Sequence, residues 1–157
     1  MGLFTKEKTK LLAQQTGKAV AITDVPDPVF AEKVLGDGIA IIPSGSEVYS
    51  PAAGTVVQIP HTLHAVCIEG DDGVEVLVHL GIDTVKLNGE GFTCHVEVGQ
   101  HVEAGEKLMD MDIAAIEAKG YKTISPCIVT NMDSVKSIDF QLGNVAGGQT
   151  AVITYRK

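Results

Sequence analysis

The sequence predicts an all-β fold, an antiparallel sandwich or barrel. Beyond Gly17, short Val- and Ile-rich or alternating runs follow one another, and Gly, Pro, Asn or Asp separates many of them. Only two stretches read as helical, and both are short. Taken in order, the first sixteen residues, MGLFTKEKTKLLAQQT, read as a flexible leader before a single domain spanning 17–157. Leu3, Phe4, Leu11 and Leu12 can share one side of a short helix with Lys6, Lys8 and Lys10 around it, a weak pattern for contact with a membrane surface. Isolated helices of that length fray in water. DPVFAEKVL opens at Asp27 with Pro28 at a helix's first position. Strands are then expected in GIAIIP (38–43), EVYSP (47–51), GTVVQIP (54–60), HAVCIEG (64–70), VEVLVHLG (74–81) and FTCHVEVG (92–99). EKLMDMD (106–112) follows, then a second helical turn from Asp112 to Gly120, then SPCIVTNM (125–132) and TAVITYRK (150–157).

Composition narrows the classes of function. A formal net charge of −8 disfavours nucleic acid, whose phosphates need a basic face, and favours partners with basic surfaces. No apolar run approaches the ~20 residues of a membrane span. Cys67, Cys94 and Cys127 are odd in number and lack CxxC spacing, so neither disulfides nor an all-cysteine zinc site is expected, and a reducing cytoplasm fits best.

HTLHAVCIEGDDGVEVLVHLGID (61–83) places one histidine in each of two neighbouring strands. A four-residue GDDG loop sets His64 opposite His79, and a two-residue Asp72–Gly73 turn makes them diagonal neighbours. Either register leaves both rings on one face, with Val66, Ile68 and Leu77 beside them; a three-residue loop would separate them. Three chemistries suit such a pair: two polar residues bonded into a sheet, a metal site, or phosphoryl transfer with one imidazole as nucleophile and the other steadying the phosphoryl oxygens. Spacing alone does not rank the last two.

Two segments, VYSPAAGTVVQI and VEVGQHVEAGEKLMDMD, resemble the turns of biotinyl and lipoyl carrier domains, which implies a barrel-sandwich hybrid with crossed hairpins. Asp110 stands where those carriers need a lysine, and a carboxylate cannot form their amide link. A wider resemblance covers nearly everything from Gly17 onward. HAVCIEGDDGVEVLVHLGIDTVKLNGEGF, with DVPDPVFAEKVLGDGIAIIPSG, SPAAGTVVQI and SPCIVTNMDSV, is similar to the signature of the glucose-family enzyme IIA of the bacterial phosphoenolpyruvate:sugar phosphotransferase system. That resemblance implies a phosphoryl carrier. His79 matches the histidine that is phosphorylated on Nε2 by the phosphocarrier protein HPr and that then passes the group to a cysteine on the IIB domain of a glucose-type permease. His64 matches the second active-site histidine, Thr62 the hydroxyl that orients its ring, and Gly81 the backbone carbonyl that fixes the tautomer of the first. Asp83 and Asp27 match carboxylates that meet an arginine of HPr, though a turn or helix-cap reading competes for each.

Phe30, Val34, Ile39 and Leu80 are the apolar docking candidates, by the same resemblance and by nearness to the motif segments; a core reading competes for each, and for Ile39 above all. No metal or cofactor is required, adventitious zinc at His64 and His79 being the exception that enteric members suggest. Those members also inhibit regulatory target proteins, a property not carried over here. His61, His95 and His101 have no family role and read as surface or turn residues. Two rivals remain. A zinc hydrolase of the lysostaphin type shares the β architecture, but its HxH pair and upstream HxxxD are not in place, and a purely regulatory binding module would keep the fold without transfer.

Overall fold

The computed structural model describes residues 8–157. Its strands in chain order are β1 (Thr9–Leu12), β2 (Gly17–Ala21), β3 (Asp37–Pro43), β4 (Glu47–Tyr49), β5 (Gly54–Gln58), β6 (Ala65–Gly70) and β7 (Glu75–His79). They continue as β8 (Phe92–Cys94), β9 (His101–Val102), β10 (Lys107–Met111), β11 (Ser125–Val129), β12 (Ser137–Phe140), β13 (Gly143–Val145) and β14 (Ala151–Arg156). Every paired neighbour is antiparallel. Eight strands form one sheet in the order β13-β2-β3-β11-β7-β6-β5-β9, and two three-stranded sheets run β1-β14-β12 and β4-β10-β8. The predicted all-β sandwich is the observed class.

Alternation explains where the core lies. On the eight-stranded sheet, Ile39, Ile41, Val66, Ile68, Val76, Val78 and Cys127 point to one face, where they join Leu11, Val48, Leu108, Met109 and Ile153 of the smaller sheets in the main core. The other face carries a second, smaller cluster. Ala40 and Ile128 project there, and Ile22, Val25, Phe30 and Ile82 cover them, with Leu77 half-buried at the edge. The two clusters make the sheet a partition, and His79 lies on the side of the second.

The first helix, α1 (Pro28–Ala31), is shorter than predicted: Asp27 caps it by accepting from Val29 N–H at 3.0 Å, and Lys33, at φ 59°, turns the chain out of it. In α2 (Ile113–Ala118), Asp112 accepts from Ala115 N–H at 3.1 Å. Gly120, at φ 88°, lies just beyond its end.

The domain boundary predicted at Gly17 needs correction. Thr9 to Leu12 pair with β14, and Leu11, Ala13, Gln14 and Gln15 are all 0% exposed. Residues 9–16 are therefore part of the β domain. Lys8 and Lys10 beside an adjacent pair of leucines hid a strand that buries Leu11, and an adjacent pair of buried glutamines reads as polar loop. Leu11 and Leu12 lie in that strand rather than in a helix, while Leu3 and Phe4 fall outside the described residues. Strands β2, β9, β12 and β13 were also missed: β9 has two residues, β12 and β13 are short and partly or wholly exposed, and β2 (GKAVA) buries only Ala19, so none shows the apolar alternation that betrays a strand. Asp110 sits mid-strand in β10, between Glu47 and Thr93 in register. It is not at a hairpin tip.

Candidate active site

The hairpin β6–β7 closes through a three-residue loop, since Glu69 pairs with Glu75 and Gly70 N–H donates to Val74 O at 2.8 Å. This is the register expected to part the histidines: Ala65, not His64, lies opposite His79. The rings nevertheless meet, with centroids 5.1 Å apart and planes at 79°. His64 achieves this by leaving the pleat. A turn in which Leu63 N–H donates to Pro60 O at 2.9 Å puts Leu63 at φ 60°, and the chain reaches His64 outside the strict alternation of β6. Its carbonyl still accepts from Leu80 N–H at 2.7 Å, so the two histidine backbones stay tied. The neighbours change accordingly: Val66 and Ile68 line the main core on the opposite face, and of the three apolar residues predicted beside the pair only Leu77 shares the side of His79.

Each imidazole has one nitrogen anchored. Thr62 Oγ1 lies 2.7 Å from His64 Nδ1, and His79 Nδ1 donates to Gly81 O at 2.8 Å. A carbonyl oxygen has no proton to give, so Nδ1 of His79 carries the hydrogen and the lone pair of the neutral ring sits on Nε2. Burial lowers the pKa of His79 below the ordinary histidine value, and the Gly81 carbonyl and the charges of Asp27 and Asp83 offset part of that. His64 is lowered as well, by burial and then by the neighbouring His79. At neutral pH the pair is therefore uncharged. Phe30 packs against His79 with centroids 5.0 Å apart, closing one side of the ring to water.

Gly81 is where the backbone demands glycine. Its φ is +79°, and an added Cβ would stand 2.6 Å from Thr84 Cγ2 and 2.8 Å from Lys122 O. The docking candidates divide. Val34 is 69% exposed, but Phe30 is 4% and Leu80 and Ile39 are 0%, so the last three cannot meet a visiting protein. Phe30 supports the ring instead, and Leu80 belongs to the core. Both follow from position: Phe30 faces inward from the one-turn α1, and Leu80 follows His79 on the alternate face. Asp27 is a helix cap as its competing reading held, with its charge still felt at His79. Asp83 is exposed, sits at φ 61° and makes no cap bond. His61, His95 and His101 are exposed; His95 bonds Asp110 at 2.6 Å and His101 bonds Asp71 at 3.0 Å. Ser125, buried and bonded to Gly81 N–H at 3.2 Å, went unnoticed in the sequence, where nothing links it to a glycine forty-four residues earlier.

Other chemistry finds less support. Among the described residues no group of three or more His, Cys, Asp or Glu side chains is placed to hold a metal, so a zinc ion here would have two imidazoles where a catalytic site takes three protein ligands. Burial pushes the Cys127 thiol up to about 12 and raises that of Cys67, which leaves neither as a thiolate nucleophile.

Comparison with known proteins adds to this geometry. Residues 9–135 match the family described as phosphoenolpyruvate-dependent sugar phosphotransferase system, EIIA 1. The chain is 45% identical over 154 residues to the PTS system glucose-specific EIIA component of Bacillus cereus, covering 98% of this chain and 93% of that protein. It is 42% identical over 149 residues to the N-acetylglucosamine-specific EIICBA component of Escherichia coli K12, covering 94% of this chain and 23% of that longer protein. Among solved structures, the glucose permease IIA from Mycoplasma capricolum superposes with a TM-score of 0.90 at 37% identity, covering 96% of this chain and 97% of the other.

Proposed function

This chain belongs to the EIIA 1 family of the phosphoenolpyruvate-dependent sugar phosphotransferase system, as a phosphotransferase component of glucose type, and from that premise we propose the route the phosphoryl group takes through it. Nε2 of His79 attacks the phosphorus of phosphohistidine on HPr. The new N–P bond forms as the old one breaks, and the HPr imidazole leaves with the electron pair. A cysteine thiolate of a IIB domain then attacks the same phosphorus, and His79 departs as the neutral ring that began the cycle. The single observation supporting this reading is the bond from His79 Nδ1 to Gly81 O, which frees Nε2 for attack.

The other residues act by position and charge. In a loose, metaphosphate-like transition state the protein chiefly aligns donor and acceptor and steadies three oxygens. His64, held through Nδ1 by Thr62 and edge-on to His79, is the group within reach to donate a hydrogen bond to the phosphoryl oxygens. Desolvation by Phe30 and Leu77 slows hydrolysis of the phosphoramidate. Docking falls to exposed surface around the pair: Val29 and Val34, at 41% and 69%, flank Phe30 in sequence, and Asp83 offers an exposed carboxylate to a cationic partner. A carrier that must release each partner needs a small interface, below roughly 1,200 Å². The zinc-hydrolase alternative has no third ligand among the described residues.

The test is direct. With phosphoenolpyruvate, enzyme I and HPr, the protein should gain one acid-labile phosphate, and His79→Ala should gain none; label persisting in that variant refutes the assignment. His64→Gln should accept phosphate yet deliver it poorly to a IIB domain, and normal delivery would make His64 merely structural. Onward transfer by the unaltered chain also rules out a module that binds without transferring.

A further inference from the structure

Behind the His79 ring, hydrogen bonds clamp both peptide groups that meet at Gly81. Leu80 O accepts from Thr84 Oγ1 at 2.5 Å, Gly81 N–H donates to Ser125 Oγ at 3.2 Å, and Ile82 N–H donates to Lys122 O at 3.0 Å. The remaining group, Gly81 O, accepts from His79 Nδ1. Thr84 and Gly81 belong to the same short loop and move together if it shifts. Ser125 does not. It opens β11, paired with Ile41 of β3 and in the same alternation phase as Cys127, and is 0% exposed. Its hydroxyl donates to Thr123 O at 2.8 Å, which spends the proton and leaves its lone pairs facing the Gly81 amide. The strand end is itself pinned from the far side, where buried Gln14 donates through Nε2 to Ser125 O at 2.9 Å. An alanine would fill this position in the strand, but it would leave the buried Gly81 N–H without a partner and free one side of a glycine at φ +79°, leaving the Lys122 O bond to Ile82 N–H to hold the carbonyl's peptide without it.

We propose that Ser125 is a positioning residue for phosphoryl transfer: its buried hydroxyl, by holding Gly81 N–H, sets the backbone at Gly81 and, together with the Lys122 O bond to Ile82 N–H, points the carbonyl that keeps His79 in the Nδ1–H form. A neutral imidazole with its hydrogen on Nε2 has no lone pair where the phosphorus must be attacked. Acceptance therefore scales with the Nδ1–H fraction, and that fraction depends on where the Gly81 carbonyl points. The consequence for transfer rests on the reading of His79 as acceptor, whereas the tautomer itself is measured with no phosphate present.

The experiment is 15N NMR of the histidine rings, paired with the rate of phosphate acceptance from phospho-HPr. In the unaltered protein His79 should be mainly Nδ1–H. Ser125→Ala should move the tautomer ratio toward Nε2–H by about two- to tenfold, the worth of one ordinary hydrogen bond, and should slow acceptance. Cys127→Ala, a buried change on the same strand with no bond to the Gly81 peptide, should leave the ratio in place. An unmoved ratio in Ser125→Ala, or an equal shift in Cys127→Ala, overturns the proposal. Should the alanine variant fail to fold, Ser125→Cys keeps the size and weakens the acceptor; a ratio unchanged in that variant is equally fatal. A wild-type chain that takes no phosphate sinks the proposed function and leaves the tautomer shift to be judged on its own.

Discussion

At His79, burial and hydrogen bonding pull the proton equilibrium in opposite directions. Burial favours the neutral ring, while the Gly81 carbonyl, Asp27 and Asp83 favour the charged one, and burial is the larger influence. His64 lacks those opposing carboxylates and is lowered by burial and by its neighbour. Both rings should therefore titrate below the ordinary histidine value of 6.5, read as the pH dependence of their ring-proton shifts in NMR. The sign for stability follows. Above 6.5 both states are neutral and the contribution is full; as pH falls from there through the lower folded values, the unfolded chain binds protons first and stability is lost. Denaturant unfolding at pH 7 and pH 5.5 should show that loss, and a rise in stability on acidification over this window would contradict it. Phosphate acceptance should stay flat from pH 8 to 6.5 for the same reason.

Elements supply the constraints that single residues cannot. The hairpin β6–β7 delivers His79 by its pleat, but His64 arrives by a left-handed residue, Leu63, at the point where the ladder ends. Helix α1 has only four residues and would not persist alone; it holds because Phe30 is buried against His79 and Asp27 caps it. Asp27 thus has two separable effects. Asp27→Asn keeps an N-cap acceptor and removes the charge, whereas Asp27→Ala removes both. Each should lower the His79 titration midpoint, since the Asp27 charge raises it. Only the alanine variant should lose the cap, about 1 kcal/mol in urea unfolding. A midpoint unmoved in Asp27→Asn would show that the carboxylate does not act on the ring.

For the whole molecule, three sheets close one core, and the chain's first described strand is part of that closure. Leu11 is 0% exposed among residues of all three sheets, so Leu11→Ala should cost about 2–5 kcal/mol, the range for a buried leucine truncated to a cavity. Deletion of residues 1–16 should do worse, because it also strips β14 of one of its two neighbours and Ser125 O of the Gln14 amide. Thermal unfolding of the two variants decides this, and a deletion as stable as the full chain would restore the leader reading of residues 9–16. No helix among the described residues is long and apolar enough to cross a membrane.

Much of this was legible in the sequence because it is local. Period-two runs and Gly, Pro and Asn breaks specify strands wherever one face is buried, and Asp-Pro and Asp-Ile openings mark both helix caps, since these signals depend only on neighbours along the chain. The identity of the histidine pair was carried by motif resemblance, not by spacing, and the register argued from spacing was off by one residue. Tertiary structure decided the rest. Whether Leu11 frays or packs, whether Phe30 faces a partner or a ring, and which hydroxyl holds the Gly81 amide all depend on segments far apart in the chain. Burial and hydrogen-bond geometry are properties of what the fold brings together, so only the folded chain could place Ser125 behind His79.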